Sequence, residues 1–152
     1  MKAMIAAVAL SLSAGTIAAA APVTYFPPPG GGPGATASAP PPFSTAVMAG
    51  DTLYISGTLD IDPATGKPPA DVKAGAHIVL DNIKRAVERA GLTMDDLVWV
   101  QIFTSDLANY PAFNEVYRTY FHGPMPARAF LGAGSVLAGA HFEVMGVAVK
   151  KN

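Results

Sequence analysis

Eight consecutive residues, LVWVQIFT from Leu97 to Thr104, constrain this chain more than any other stretch. The run is nearly all apolar, and its β-branched and aromatic side chains suit an extended, pleated backbone. Continuous hydrophobicity of this kind describes a strand buried on both faces, with Trp99, the chain's single tryptophan, packed in the core. Such a strand cannot stand alone. It needs neighbours in a sheet and a covering layer, and the flanking sequence offers candidates for both.

The covering layer is helical. From Asp71 to Ala90, the residues Val72, Ala76, Val79, Leu80, Ile83, Val87 and Ala90 recur every three or four positions and form one apolar stripe. Asp71 is suited to cap the start, and Gly91 to take the left-handed position past the end. Asp81 and Arg85 stand one helical turn apart on the wet side, as an expected ion pair. Thr93 and Asp96 have the spacing of a capping box. A second helix is expected over roughly Leu107–Phe121, with Pro111 in its first turn. It carries Phe113, Val116, Tyr117, Tyr120 and Phe121 on one side, and Gly123-Pro124 stop it.

Strand partners lie before and after. Thr45–Ala49 and Thr52–Gly57 flank Gly50-Asp51, a type II′ hairpin signal, and Asp62-Pro63-Ala64-Thr65-Gly66 is a turn. Pro124–Ala148 reads as two further strands joined by a loop of small residues. The order β-β-α-β-α-β-β then places both helices on one face of a single mixed sheet, an α+β two-layer domain. The other sheet face has no cover within the chain. Its expected side chains, Trp99, Ile102, Phe142 and Val144, call for a second subunit.

Two charges interrupt the last strand pair. Arg128 and Glu143 are equidistant from a loop midpoint near Ser135–Val136, so a symmetric hairpin makes them cross-strand partners on one face. One reading is a structural ion pair, or edge charges that discourage aggregation. The other is a site, in which the guanidinium fork grips a carboxylate and the glutamate moves protons. That combination suits a small carboxylic acid whose neighbouring atom undergoes acid–base chemistry. Gly57 either admits a close approach of a ligand or is only a bend.

Other chemistries find little support. There is no cysteine, which removes disulfides, thiol nucleophiles and Cys-type zinc sites. His77, His122 and His141 fit no metal-binding spacing. Gly30-Gly31-Gly32 does not join a strand to a helix as a phosphate loop does, and Ser44, Ser56 and Ser135 lie in no G-x-S-x-G context. Ten Lys plus Arg against eleven Asp plus Glu, with no block of like charge, speaks against nucleic acid and anionic membranes as partners.

The N-terminus has its own grammar. Met1-Lys2, the apolar run Ala3–Leu12 and the small residues up to Ala21 read as a secretory signal peptide over residues 1–21, with a retained membrane anchor as the alternative. The mature protein is then expected to be exported, to the periplasm of a bacterium. Residues 22–42 are dense in Pro and Gly and read as a disordered linker. The folded domain is expected over residues 43–152, from Phe43.

Six segments, taken together and in order, resemble the RidA (YjgF-type) reactive-intermediate deaminases. They are PPFSTAV at Pro41–Val47, LYISG at Leu53–Gly57, RAVERAGL at Arg85–Leu92, NEVYRTYF at Asn114–Phe121, PARA at Pro126–Ala129 and FEVMGVA at Phe142–Ala148. The resemblance covers Pro40 to Lys150. It implies a chorismate-mutase-like fold and a homotrimer with ligand sites in clefts between subunits. It also implies hydrolysis of 2-imino acids, or their enamine tautomers, to 2-keto acids and ammonia, with no cofactor. By position, Arg128 matches the family's carboxylate-binding arginine and Glu143 the acid that handles the water. Ser56, Gly57 and Asn114 match positions lining the cleft. Two positions depart from the pattern. Phe43 stands where a tyrosine is common, and Ala129-Phe130 replaces a small or thiol-bearing pair. Both alter the pocket, so a non-catalytic trimeric module for small carboxylates or hydrophobic ligands stands as the alternative.

Overall fold

The computed structural model describes residues 21–28 and 41–151. The expected signal peptide, apart from Ala21, and the glycine run of the expected linker lie outside these residues. Among these residues six strands form one mixed sheet: β1 (Val23–Phe26), β2 (Ala46–Ala49), β3 (Thr52–Leu59), β4 (Leu97–Thr104), β5 (Ala127–Gly132) and β6 (Phe142–Val149). Their order across the sheet is β1-β2-β3-β6-β4-β5. Only β4 and β5 are parallel, and the other neighbours are antiparallel. The helices α1 (Val72–Arg89) and α2 (Tyr110–Tyr117) pack against each other over one face, giving the two-layer α+β arrangement expected.

Local chemistry explains the elements. The Asp71 carboxylate accepts the Lys73 N–H at 3.1 Å and caps α1, and Gly91 ends it at φ 77°. Ala76, Val79, Leu80, Ile83 and Val87 of the α1 stripe are buried with Leu53, Ile55, Val144 and Ala148 of the sheet in one core. Thr93 donates its N–H and hydroxyl to Asp96 at 2.8 and 2.9 Å. Gly50 has φ 58° while Asp51 stays at negative φ, as a type II′ turn requires. The second helical stretch is broken into a 3-10 turn (Leu107–Asn109), α2 and another 3-10 turn (Arg118–Tyr120), with Pro111 in the first turn of α2.

Several expectations need correction. Val23–Phe26 is an edge strand, not part of a disordered linker, so the sheet begins well before Phe43. Its VTYF sequence has strong strand character between prolines. Phe26 packs on the core beneath the Arg89 guanidinium, whose carbon is 5.8 Å from the ring centroid. β4 is not buried on both faces. Val100, Ile102 and Thr104 are buried towards the helices, whereas Trp99, Gln101 and Phe103 are half-buried on the other side. Ile102, Phe142 and Val144 therefore belong to the helix face, and of the four side chains assigned to the uncovered face only Trp99 is there. That face carries instead a row running Tyr25, Val47, Tyr54, Val147, Trp99 and Ala127, each paired with the next across the strands. Asp81 does not pair with Arg85. It accepts the Tyr120 hydroxyl at 2.8 Å, while Arg85 turns to Asn82.

The largest correction concerns β5 and β6, which are not a hairpin. β4 lies between them, β5 pairing with it in parallel and β6 antiparallel. The connection over residues 133–141 is too long to impose a register, since hairpin loops usually have about two to five residues. It crosses the end of β4 instead: Ala133 donates to the Thr104 carbonyl at 2.9 Å, and Ser105 to that of His141 at 3.0 Å.

Candidate functional site

Arg128 stands opposite Val100 in the β4–β5 register and so points to the helix face, at the open edge of the sheet. Aromatic rings hold it there. Its guanidinium carbon is 4.7 Å from the Tyr117 ring centroid, 5.7 Å from that of Tyr110 and 5.9 Å from that of Phe130. Cation–π contact of this kind fixes the plane of the fork while leaving its N–H groups unspent. Among the described residues its side chain makes one hydrogen bond, a long one of 3.5 Å to the Tyr110 hydroxyl, and no ion pair. A pocket of about 180 Å³ opens beside it, lined by Asn114, Tyr117, Arg118, Met125, Pro126 and Arg128. Phe130 forms the layer beneath, edge-on to Tyr110 at 5.0 Å and to Phe113 at 5.5 Å. Tyr117 is only 4% exposed, and burial pushes its hydroxyl up to about 12, against the pull of the Arg128 charge.

Glu143 occupies the opposite face. It lies between buried Phe142 and Val144 in β6 and is paired with Leu59 on one side and Phe103 on the other. Its carboxylate rests on Gly57, where a Cβ would collide with Oε1. The register shift between Ile55 and Thr58 brings that glycine into place. Close approach at Gly57 is therefore real, and the approaching group is this chain's own glutamate. Glu143 makes no side-chain hydrogen bond or ion pair among the described residues. Ser56, next to Gly57, donates its hydroxyl to the Ser44 carbonyl at 2.6 Å, beside Phe43, whose side chain is 55% exposed.

The expected site residues thus fall into two groups. Arg128 and Asn114 share the pocket on the helix side, over Phe130. Glu143 and Gly57 share the uncovered face. The cross-strand pairing of Arg128 with Glu143 is corrected: one chain holds them on opposite sides of its sheet, and they are not an ion pair.

Two polar residues went unmarked in the sequence. Tyr117 counted only as part of an apolar stripe, yet its buried hydroxyl has no hydrogen-bond partner. Asp60, following β3, is fully buried and knots β3 to β6. It accepts the N–H groups of His141 and Phe142 at 2.9 and 3.0 Å, and lies 2.8 Å from His141 Nδ1. Gly75 in α1 leaves it room, since a Cβ there would strike the carboxylate. An acid bracketed by Leu59 and Ile61 was the available signal. The other histidines are occupied at the surface, His77 with Tyr120 and His122 with Asp95. Among the described residues no group of three His, Asp or Glu side chains is placed to hold a metal ion.

Comparison with known proteins supplies independent findings. The family model described as Endoribonuclease L-PSP matches residues 35–150. A RutC family protein of Haemophilus influenzae is 35% identical over 114 residues, spanning 72% of this chain and 88% of its own. The crystal structure of RidA from the Antarctic bacterium Psychrobacter sp. PAMC 21119 superposes with a TM-score of 0.68 at 33% identity, over 75% of this chain and 92% of that one. E. coli TdcF with bound serine superposes with a TM-score of 0.72 at 28% identity, over 84% of this chain and all (100%) of that one.

Proposed function

This chain belongs to the YjgF/RidA/RutC family, and from that premise we propose that it hydrolyses 2-imino acids, or their enamine tautomers, to 2-keto acids and ammonia. The observation that carries the reading is Arg128. A guanidinium stacked on aromatic rings, with no carboxylate partner among the described residues and a small pocket beside it, is prepared for the carboxylate of a small ligand. Within one chain the pocket is about 180 Å³, room for the carboxylate end of a ligand. The serine bound to TdcF carries a carboxylate on a carbon that also bears a nitrogen, as a 2-imino acid does.

Arg128 holds the carboxylate and thereby fixes the adjacent imine carbon. Glu143 takes a proton from water as the water oxygen bonds to that carbon and the C=N double bond becomes single. The proton passes to the nitrogen and gives a carbinolamine; its hydroxyl proton then moves to the nitrogen by way of Glu143, the C–N bond breaks, and ammonia leaves as the C=O double bond forms. General acid–base help of this kind is worth about a hundred- to ten-thousand-fold. Because Arg128 and Glu143 of one chain face opposite ways, the glutamate serving each arginine comes from a second copy, in a homotrimer with sites between subunits. The apolar row on the same sheet face as Glu143, which no described residue covers, supports that assembly. RNA cleavage, which the family model's description names, is less well served: the chain's net charge is −1 and its basic residues form no block to meet a phosphate backbone.

A second reading rests on Phe43 and Phe130. The first brings no hydroxyl to the cleft, and the second places a ring under Arg128, as a non-catalytic carboxylate-binding module would have. One experiment separates the two. 2-Iminobutanoate and 2-iminopropanoate are generated in situ, and their loss is followed with and without the protein. Acceleration that disappears in Arg128→Ala supports hydrolysis. No acceleration of either, with keto acids still bound, supports the module.

A further inference from the structure

We propose that the Tyr117 hydroxyl is a second donor to the substrate carboxylate, beside Arg128. The inference rests on the carboxylate site proposed above and adds a residue to it. Tyr117 lines the same pocket as Arg128 and Asn114, and it follows Asn114 by three positions, so α2 presents both on one face. Its hydroxyl is the buried side-chain polar atom without a partner among the described residues. Buried hydroxyls are normally hydrogen-bonded, and an orphan one at a pocket wall marks a place for an absent acceptor. The ring cannot swing the hydroxyl out to water: Phe113 and Phe121 hold it at 5.8 and 4.8 Å between centroids, and Arg128 lies over its face.

An ionised carboxylate suits what is missing. It accepts only, and offers about four lone-pair directions, of which a bidentate arginine uses two. The hydroxyl therefore complements the guanidinium instead of competing with it. The phenol keeps its proton at any working pH, since burial holds its titration near 12. Arg128 covers the Tyr117 ring, and among the described residues its one side-chain hydrogen bond is the long 3.5 Å contact to Tyr110. Drawing the guanidinium outward onto an incoming carboxylate opens the hydroxyl to the same group.

The test is Tyr117→Phe in the full chain, which removes one oxygen and nothing else. Calorimetric binding of 2-oxobutanoate is expected to weaken by about tenfold, as loss of one hydrogen bond to a charged acceptor predicts. KM for the imine generated in situ rises by a similar factor while kcat changes little, and the thermal midpoint stays level or rises. Unchanged binding in Tyr117→Phe, with binding abolished in Arg128→Ala, overturns the assignment of Tyr117 and leaves the carboxylate site standing. A lowered thermal midpoint with an unchanged KM overturns it also, since that marks a packing role alone. Failure of the unmodified protein both to bind 2-oxobutanoate and to process the imine overturns the site and the inference together.

Discussion

One methyl group tests where Glu143 works. Gly57 lies beneath the Glu143 carboxylate, and a Cβ there collides with it, so Gly57→Ala displaces the glutamate without touching the core. A displacement of about 1 Å at a reacting group costs on the order of a hundredfold in rate. The expected outcome is a kcat lowered by about that factor with binding of 2-oxobutanoate and the thermal midpoint nearly unchanged. Steady-state kinetics beside calorimetry and a melting curve would check it. Tyr117 gives a second residue-scale outcome, in stability against pH. Burial raises its titration from 10.0 to about 12 in the folded chain, which means folding favours the neutral phenol. The associated stability is fully present below about pH 10 and is lost as pH rises towards 12. Tyr120 adds to the same loss, pushed up by burial and by the Asp81 carboxylate. Urea midpoints measured from pH 8 to 11.5 should fall, and fall less steeply in Tyr117→Phe. Arg128 and Glu143 stood out in the sequence because a charge inside an apolar strand is conspicuous, whereas Gly57 could equally have been a bend. Tyr117 did not stand out, because its position in a helical stripe already accounts for its ring and says nothing about where the hydroxyl ends.

At the scale of elements, the helices and most strand bounds were legible, and the strand connections were not. The apolar stripe, Asp71 and Gly91 specify α1 through local interactions alone. The β5–β6 hairpin failed because pairing is a non-local choice. A strand of eight mostly apolar residues, Leu97–Thr104, accepts a neighbour on each side, and no short turn forced β5 onto β6. Val23–Phe26 was hidden by the prolines around it, although its four residues alone have strand character. What secures the arrangement locally is Asp60, a residue the sequence did not single out. Its carboxylate satisfies two N–H groups at the start of β6 and the His141 ring while wholly buried. Asp60→Ala strands these donors in the interior, and breaking a buried network of this kind costs roughly 3–5 kcal/mol. Urea unfolding is expected to show a loss of that size, with protection from hydrogen exchange falling first at His141 and Phe142. A loss below about 1 kcal/mol would mean that water satisfies the same groups and that the knot is not structural.

At the scale of the whole molecule, the two halves of the proposed site explain why one chain is insufficient. Among the described residues the helix face offers an arginine without an acid, and the opposite face an acid without a cation, in a sheet that separates them. The sequence carried both charges but not their sides, since side assignment depends on the parallel register of β4 with β5. That separation yields an outcome that no arrangement within one chain can produce. Arg128→Ala retains Glu143, and Glu143→Gln retains Arg128, and each variant alone is expected to be inactive. Mixed in equal amounts, unfolded and refolded together, they assemble at random. A site that takes its arginine from one copy and its glutamate from another is then intact in about a quarter of cases. The mixture should recover about that fraction of the unmodified rate, provided light scattering shows the assembled mass in both. If the two residues act within one chain, every chain in the mixture lacks one of them and the rate stays at the level of the separate variants. Recovery near a quarter would fix the stoichiometry of the site as one residue from each of two neighbours, and with it the reason the apolar row through Tyr54, Val147 and Trp99 is left open.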